Sequence, residues 1–172
     1  LLKRRPKEVS GAPRQRVVRR QQRGGQPLTL KLTEEMFSQD RLQPDDVVFR
    51  LSDRETGKRI KAHGGSLCWN EYRQKWVMMV LEVEGTSFLG EIWYAEATSP
   101  QGPWGRAIHV ASHPNYTFYN PRIHPMFTPD DSPALIFEGT YTAQFANHPQ
   151  VTPRHNYNQV LYRLDLNEAP FE

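Results

Sequence analysis

Trp76-Val77-Met78-Met79-Val80-Leu81-Glu82-Val83 is apolar at nearly every position. A strand with one wet face alternates apolar and polar side chains. A short continuous apolar run bounded by turns reads instead as a strand covered on both faces. The turns are present: Asn70-Glu71-Tyr72-Arg73-Gln74 precedes the run and Glu84-Gly85-Thr86-Ser87 follows it. In antiparallel surroundings a doubly covered strand implies sheets stacked on sheets, so the expected class is all-β.

Working outward, Glu91–Ala97 reads as the next strand and Ser99-Pro100-Gln101-Gly102-Pro103-Trp104 as a tight loop. Ala107–Ala111 is a short outer strand. Upstream, Ile60–Trp69 is a strand whose Gly64-Gly65 pair permits close backbone approach. Together these form a four-stranded meander over 60–111. Earlier still, Val47–Leu51 is a strand followed by a turn from Asp53 to Lys58. Leu28-Thr29-Leu30-Lys31-Leu32 alternates at period two, as a half-buried strand does, and Thr33 to Phe37 has the look of one helical turn capped by Thr33.

A second unit occupies 120–168. Asn120–Phe127 is its inner strand, Thr128–Pro133 a turn and Ala134–Tyr141 a strongly apolar strand. Thr142–Asn156 is a polar loop, and Asn158–Leu166 a third strand. Ile92-Trp93-Tyr94 of the first unit lies over Val160-Leu161-Tyr162 of the second. A period of roughly 55 to 70 residues suits four-stranded blades with long loops. The expected fold is therefore a partial β-propeller of antiparallel four-stranded blades over 28–172, about two to three in number, with a β-sandwich as the alternative.

Bulk composition agrees. Fourteen Pro and eleven Gly among 172 residues suit a turn-rich chain, and eight Phe, four Trp and seven Tyr favour strands. The lone cysteine, Cys68, lies in apolar Ser66-Leu67-Cys68-Trp69 and reads as a small buried hydrophobe; it excludes an internal disulfide. No apolar run is long enough to span a membrane. The net charge of +3 is unevenly spread. Residues 1–27 hold nine Lys or Arg and one acid, about +8, which leaves the rest at about −5. This basic segment reads as poorly packed. It contains no aromatic residue for base stacking, so no nucleic-acid partner is expected. The chain begins at Leu1, and the expectation is a piece of a longer protein whose remaining blades come from elsewhere in the chain or from another subunit.

Two strings carry a family resemblance. Tyr94-Ala95-Glu96-Ala97-Thr98-Ser99-Pro100-Gln101-Gly102-Pro103-Trp104 resembles a string that ends the third strand of a blade in five-bladed propeller glycosidases, the arabinanase- and xylosidase-like superfamily. Phe118-Tyr119-Asn120-Pro121-Arg122-Ile123-His124-Pro125-Met126-Phe127 is similar to the start of a following blade. Phe137-Glu138-Gly139-Thr140-Tyr141 and Tyr157-Asn158-Gln159 resemble strings in bacterial propeller domains of the same superfamily. The resemblance covers about residues 60–168. It implies a glycan-directed, secreted or periplasmic protein acting on an oligo- or polysaccharide, with no cofactor.

Glycoside hydrolysis commonly uses two carboxyl groups across the scissile bond. Glu138, in an apolar strand beside Phe137 and Tyr141, is the candidate acid; the second carboxylate is expected from a blade outside this chain. Structural pairing of Glu138, with Arg154 among the partners, is the competing reading. Glu91, Glu96 and Asp165 sit on third strands and read as solvated or paired. Substrate-binding candidates are His63, Tyr119, Asn120, His124, Tyr141, Arg154 and Asn158, aromatic faces for a pyranose and polar groups for its hydroxyls. The spacings of His113, His124, His148 and His155 match no standard zinc pattern, so no metal is expected. A non-catalytic carbohydrate-binding module and an interaction scaffold are the alternatives to an enzyme.

Overall fold

The structure, a computed structural model, describes residues 29–43, 46–47, 49–113, 115–146 and 157–171. The chain divides into two units, residues 1–41 and 42–172. In the first, α1 spans Leu30–Ser38. Its N-cap is Thr29, whose hydroxyl accepts from the Leu32 amide at 3.2 Å. The strand expected over Leu28–Leu32 and the cap expected at Thr33 are thus corrected. Five residues of period-two alternation do not outweigh the helix-forming Leu30-Lys31-Leu32 and Glu34-Glu35-Met36 around a cap at Thr29. Thr33 sits inside the helix, its hydroxyl donating back to the Thr29 carbonyl at 2.8 Å.

The second unit is all-β. Its strands are β1 Phe49–Asp53, β2 Ala62–Asn70, β3 Lys75–Glu82, β4 Glu91–Ala97, β5 Trp104–Ser112, β6 Thr117–Ile123, β7 Ala134–Thr142 and β8 Asn158–Asp165. They form a five-stranded sheet in the order β1-β5-β4-β3-β2 and a three-stranded sheet in the order β6-β7-β8. Every pairing is antiparallel except that of β1 with β5. The expected four-stranded meander is present, but β5 is not its outer edge: β1 lies beside it in parallel.

β3 carries the architecture. Val77, Met79 and Leu81 point to one face, where with Ile92 and Tyr94 of β4 they pack against Phe118, Ile123, Leu135 and Phe137 of the smaller sheet. Met78 and Val80 point the other way and pack with Leu51, Ile60, Trp93, Ala95 and Trp104. The continuous apolar run is therefore buried on both faces, each full side-chain burial contributing about 1.5–3 kcal/mol. Cys68 is half-buried against the inter-sheet core, and desolvation raises its thiol pKa.

The two sheets also meet through their first meander strands. The Ile123 amide of β6 donates to the Ser66 hydroxyl of β2 at 2.8 Å. Next to Ser66, the close approach of β2 to β3 depends on Gly65. A Cβ built there would lie 2.2 Å from the Met79 carbonyl oxygen of β3. The strand expected over Asn120–Phe127 ends at Ile123, and Pro125–Phe127 is a single 3-10 turn. Pro125 has no N–H to continue the ladder.

Candidate functional site

A groove of about 410 Å³ opens where β2, β6 and β7 converge. Gly65 and Ser66 of β2 form one wall, Asn120 and Arg122 of β6 another, and Glu138, Thr140 and Gln159 of β7 and β8 the third. A β-bulge builds it. The β6–β7 register shifts between Tyr119 and Arg122, and Asn120 within that interval has φ +54°. Asn tolerates the left-handed region better than most non-glycine residues. Pro121 fits the same interruption because the ladder needs no donor there. Bulges re-aim side chains, and this one sets Asn120 in the groove wall.

Opposite it, Arg122 and Glu138 are cross-strand partners. Thr140 donates its hydroxyl to Gln159 Oε1 at 2.7 Å, which orients the Gln159 amide. Glu138, with its side chain 21% exposed, has His124 Nε2 3.1 Å from its Oε2. The ring nitrogen is buried and not aligned for a hydrogen bond with it. Phe127 stacks on the His124 ring, centroids 5.2 Å apart. The groove thus gathers one carboxylate, one guanidinium, two hydroxyls and two carboxamides.

Of the residues expected from sequence, Asn120 and Glu138 line this groove and His124 touches Glu138. His63, Tyr119, Tyr141 and Asn158 do not line it. His63 is exposed on β2. Tyr119 is half-buried against the inter-sheet core. Tyr141 stacks on Tyr116 with centroids 4.7 Å apart and meets His113 edge-on, so its ring is engaged within the protein; burial raises its phenol pKa. Asn158 is paired across the ladder with Tyr141 at the start of β8. Arg154, His148, His155 and the basic segment 1–27 lie outside the described residues. Sequence reasoning missed Ser66, Arg122 and Thr140. Thr140 shares a face with Glu138 in the alternation of β7 and was the one legible signal among them.

A second arrangement was not anticipated. Glu82 and Glu91 are direct cross-strand partners on β3 and β4, 3% and 6% exposed. Trp93 Nε1 donates to Glu82 Oε2 at 2.9 Å, and the Thr86 amide donates to Glu91 Oε1. They border a cleft of about 370 Å³ with Asp53, Lys58, Arg59 and His109. Two buried carboxyls in contact cannot both ionise cheaply. Desolvation, then the bond to Glu91, raises the Glu82 pKa. Glu91 is desolvated too, but the Thr86 and Glu82 hydrogen bonds outweigh that and lower its pKa. The environment thus makes Glu82 the harder and Glu91 the easier of the two to ionise.

Glu96 and Asp165 are paired as well. Glu96 accepts from Arg73, Lys75 and Tyr94, and Arg163 approaches Asp165 at 3.4 Å. Among the described residues no three His, Cys, Asp or Glu converge as a metal-binding group. No protein-family model and no curated protein sequence matches the chain.

Proposed function

We propose that the chain is part of a propeller-like, glycan-directed protein, and that the groove bounded by Ser66, Asn120, Arg122, Glu138, Thr140 and Gln159 receives a polyhydroxylated ligand. Two stacked sheets whose first meander strands meet at Ser66 and Ile123 support the propeller reading. The observation that carries the ligand reading is the convergence of donors and acceptors in the groove. Neighbouring sugar hydroxyls each donate and accept. A carboxylate beside carboxamides and a guanidinium satisfies both roles.

Binding without turnover is the better-supported form of this reading, because Glu138 is the only carboxylate that lines the groove among the described residues. Hydrolysis with Glu138 as proton donor is the second reading. It is favoured by the partial burial of Glu138 beside His124, and it requires a second carboxylate across the scissile bond.

A glycan array with the wild-type chain, Glu138→Gln and Asn120→Ala separates the readings. For a binding module, Glu138→Gln retains binding, and Asn120→Ala weakens it about tenfold through loss of a hydrogen-bonding group. For a hydrolase, sugar is released by the wild type and not by Glu138→Gln. No glycan bound or cleaved would remove the site and leave an interaction scaffold.

A further inference from the structure

A third cleft lies at the end of the five-stranded sheet where the β2–β3 turn approaches the start of β5. It has a volume of about 460 Å³. Arg54, Arg73, Lys75 and Arg106 line it, and its single carboxylate is Glu96. Four formal positive charges against one negative leave it at about +3. The body of the chain outside residues 1–27 carries about −5. The cleft therefore runs against the charge of the chain outside residues 1–27.

Glu96 does not cancel this excess; it organises it. Its Oε1 accepts from Arg73 Nε at 2.6 Å and from the Tyr94 hydroxyl at 2.8 Å, and its Oε2 accepts from Lys75 Nζ at 2.6 Å. Burial alone would raise the Glu96 pKa, but these three donors bring it below the ordinary glutamate value. The carboxylate thus stays charged and holds both cations in place. Arg73 spends its Nε on Glu96, so the other guanidinium N–H groups remain for a second oxyanion. Arg54 is fixed from the far side, its Nη2 donating to the Pro170 carbonyl at 2.5 Å. Arg106 is exposed next to Gly105, where an added Cβ meets no atom within 4 Å. Ile108 and Phe171 add apolar wall.

A network that only tied down the β2–β3 turn would need Arg73, Lys75 and Glu96. It would have no use for Arg54 and Arg106, which reach the same space from the turn after β1 and from β5. We propose that this cleft binds an oxyanion group, a sulfate or phosphate, either free or carried on a small ester. Guanidinium groups held in fixed geometry match such oxygens in planar, paired hydrogen bonds.

The test is a site-resolved NMR titration of the full 172-residue chain with inorganic sulfate, inorganic phosphate, phenyl sulfate and phenyl phosphate. Saturable shifts are expected at the amides of Glu96, Gly105 and Arg106, weakening as salt rises. Tighter binding of the phenyl esters would assign the ligand as an ester using the Ile108 and Phe171 wall; equal binding would assign the free ion. Arg106→Glu should weaken binding roughly fivefold or more. Gly105→Glu, which puts a carboxylate into open space, should abolish it. Should either variant perturb the spectrum throughout, Arg106→Gln carries the same expectation of weakened binding. Absence of saturable shifts at these amides with all four probes would overturn the proposal. So would shifts that persist unchanged in the variants, since that result would place the anion on the basic residues 1–27.

Discussion

The molecule treats two sets of glutamates in opposite ways. Glu82 and Glu91 face each other directly across β3 and β4, almost wholly buried, with the Glu82 pKa raised and the Glu91 pKa lowered. Glu138 faces Arg122 across β6 and β7, keeps a fifth of its side chain exposed, and has an imidazole 3.1 Å away. The residue type is the same and so is the placement on a central apolar strand. What differs is the partner and the access. A carboxyl opposed by its like and capped by the 84–87 turn serves the fold. A carboxyl opposed by a cation at the edge of an open groove is positioned for a ligand.

Breaking the frame that holds both sets should have the largest effect. Gly65→Ala drives a Cβ to 2.2 Å from the Met79 carbonyl oxygen, where backbone cannot yield cheaply. A loss of roughly 3 kcal/mol is expected in urea unfolding, together with loss of any groove ligand, because Gly65 and Ser66 form one wall.

Next comes the buried pair. Glu82→Ala strands the Trp93 indole N–H and the Glu91 carboxylate, and should cost about 2 kcal/mol. Glu82→Gln keeps an acceptor for Trp93 and a donor for Glu91 and should cost much less. Its value is in the pH profile. The Glu82 pKa is raised on folding, so its stabilisation is present below the unfolded value and is lost as pH rises through the folded one. The Glu91 pKa is lowered, so its contribution is present above the unfolded value and is lost as pH falls through the folded one. Wild-type stability should therefore peak near the ordinary glutamate pKa and decline above it until Glu82 has ionised. Glu82→Gln should lose that alkaline-side decline and keep the acid-side one. Parallel profiles for the two proteins would show that folding does not raise the Glu82 pKa.

The smallest effect on stability is expected at Glu138. Glu138→Gln should change unfolding free energy by no more than about 0.5 kcal/mol, as at other sites open to water. A loss comparable to that of Glu82→Ala would erase the contrast and make Glu138 a structural carboxyl.

Much of the fold could be read from local pattern. Trp76–Val83 announced a strand buried on both faces, and Glu91–Ala97 was placed to the residue, because alternation and its absence report which faces are covered. The site was legible only where a polar residue broke such a pattern. Glu138 stands out in Ala134–Tyr141, whereas Arg122 looks like an ordinary surface residue. The aromatic cluster misled for a related reason: composition does not say whether Tyr116 and Tyr141 offer their rings to a sugar or to each other.

The sequence by itself determined most of the strands from Phe49 onward, the turns between them and the all-β class, all of which follow from neighbours within a few positions. The tertiary structure alone decided that β1 joins β5 in parallel, that a bulge sets Asn120 in a groove wall, that Glu82 meets Glu91, and that four cations line one cleft with Glu96. Those arrangements depend on register and on contacts between residues far apart in the chain. Period-two alternation states which face a side chain takes but not which partner stands opposite.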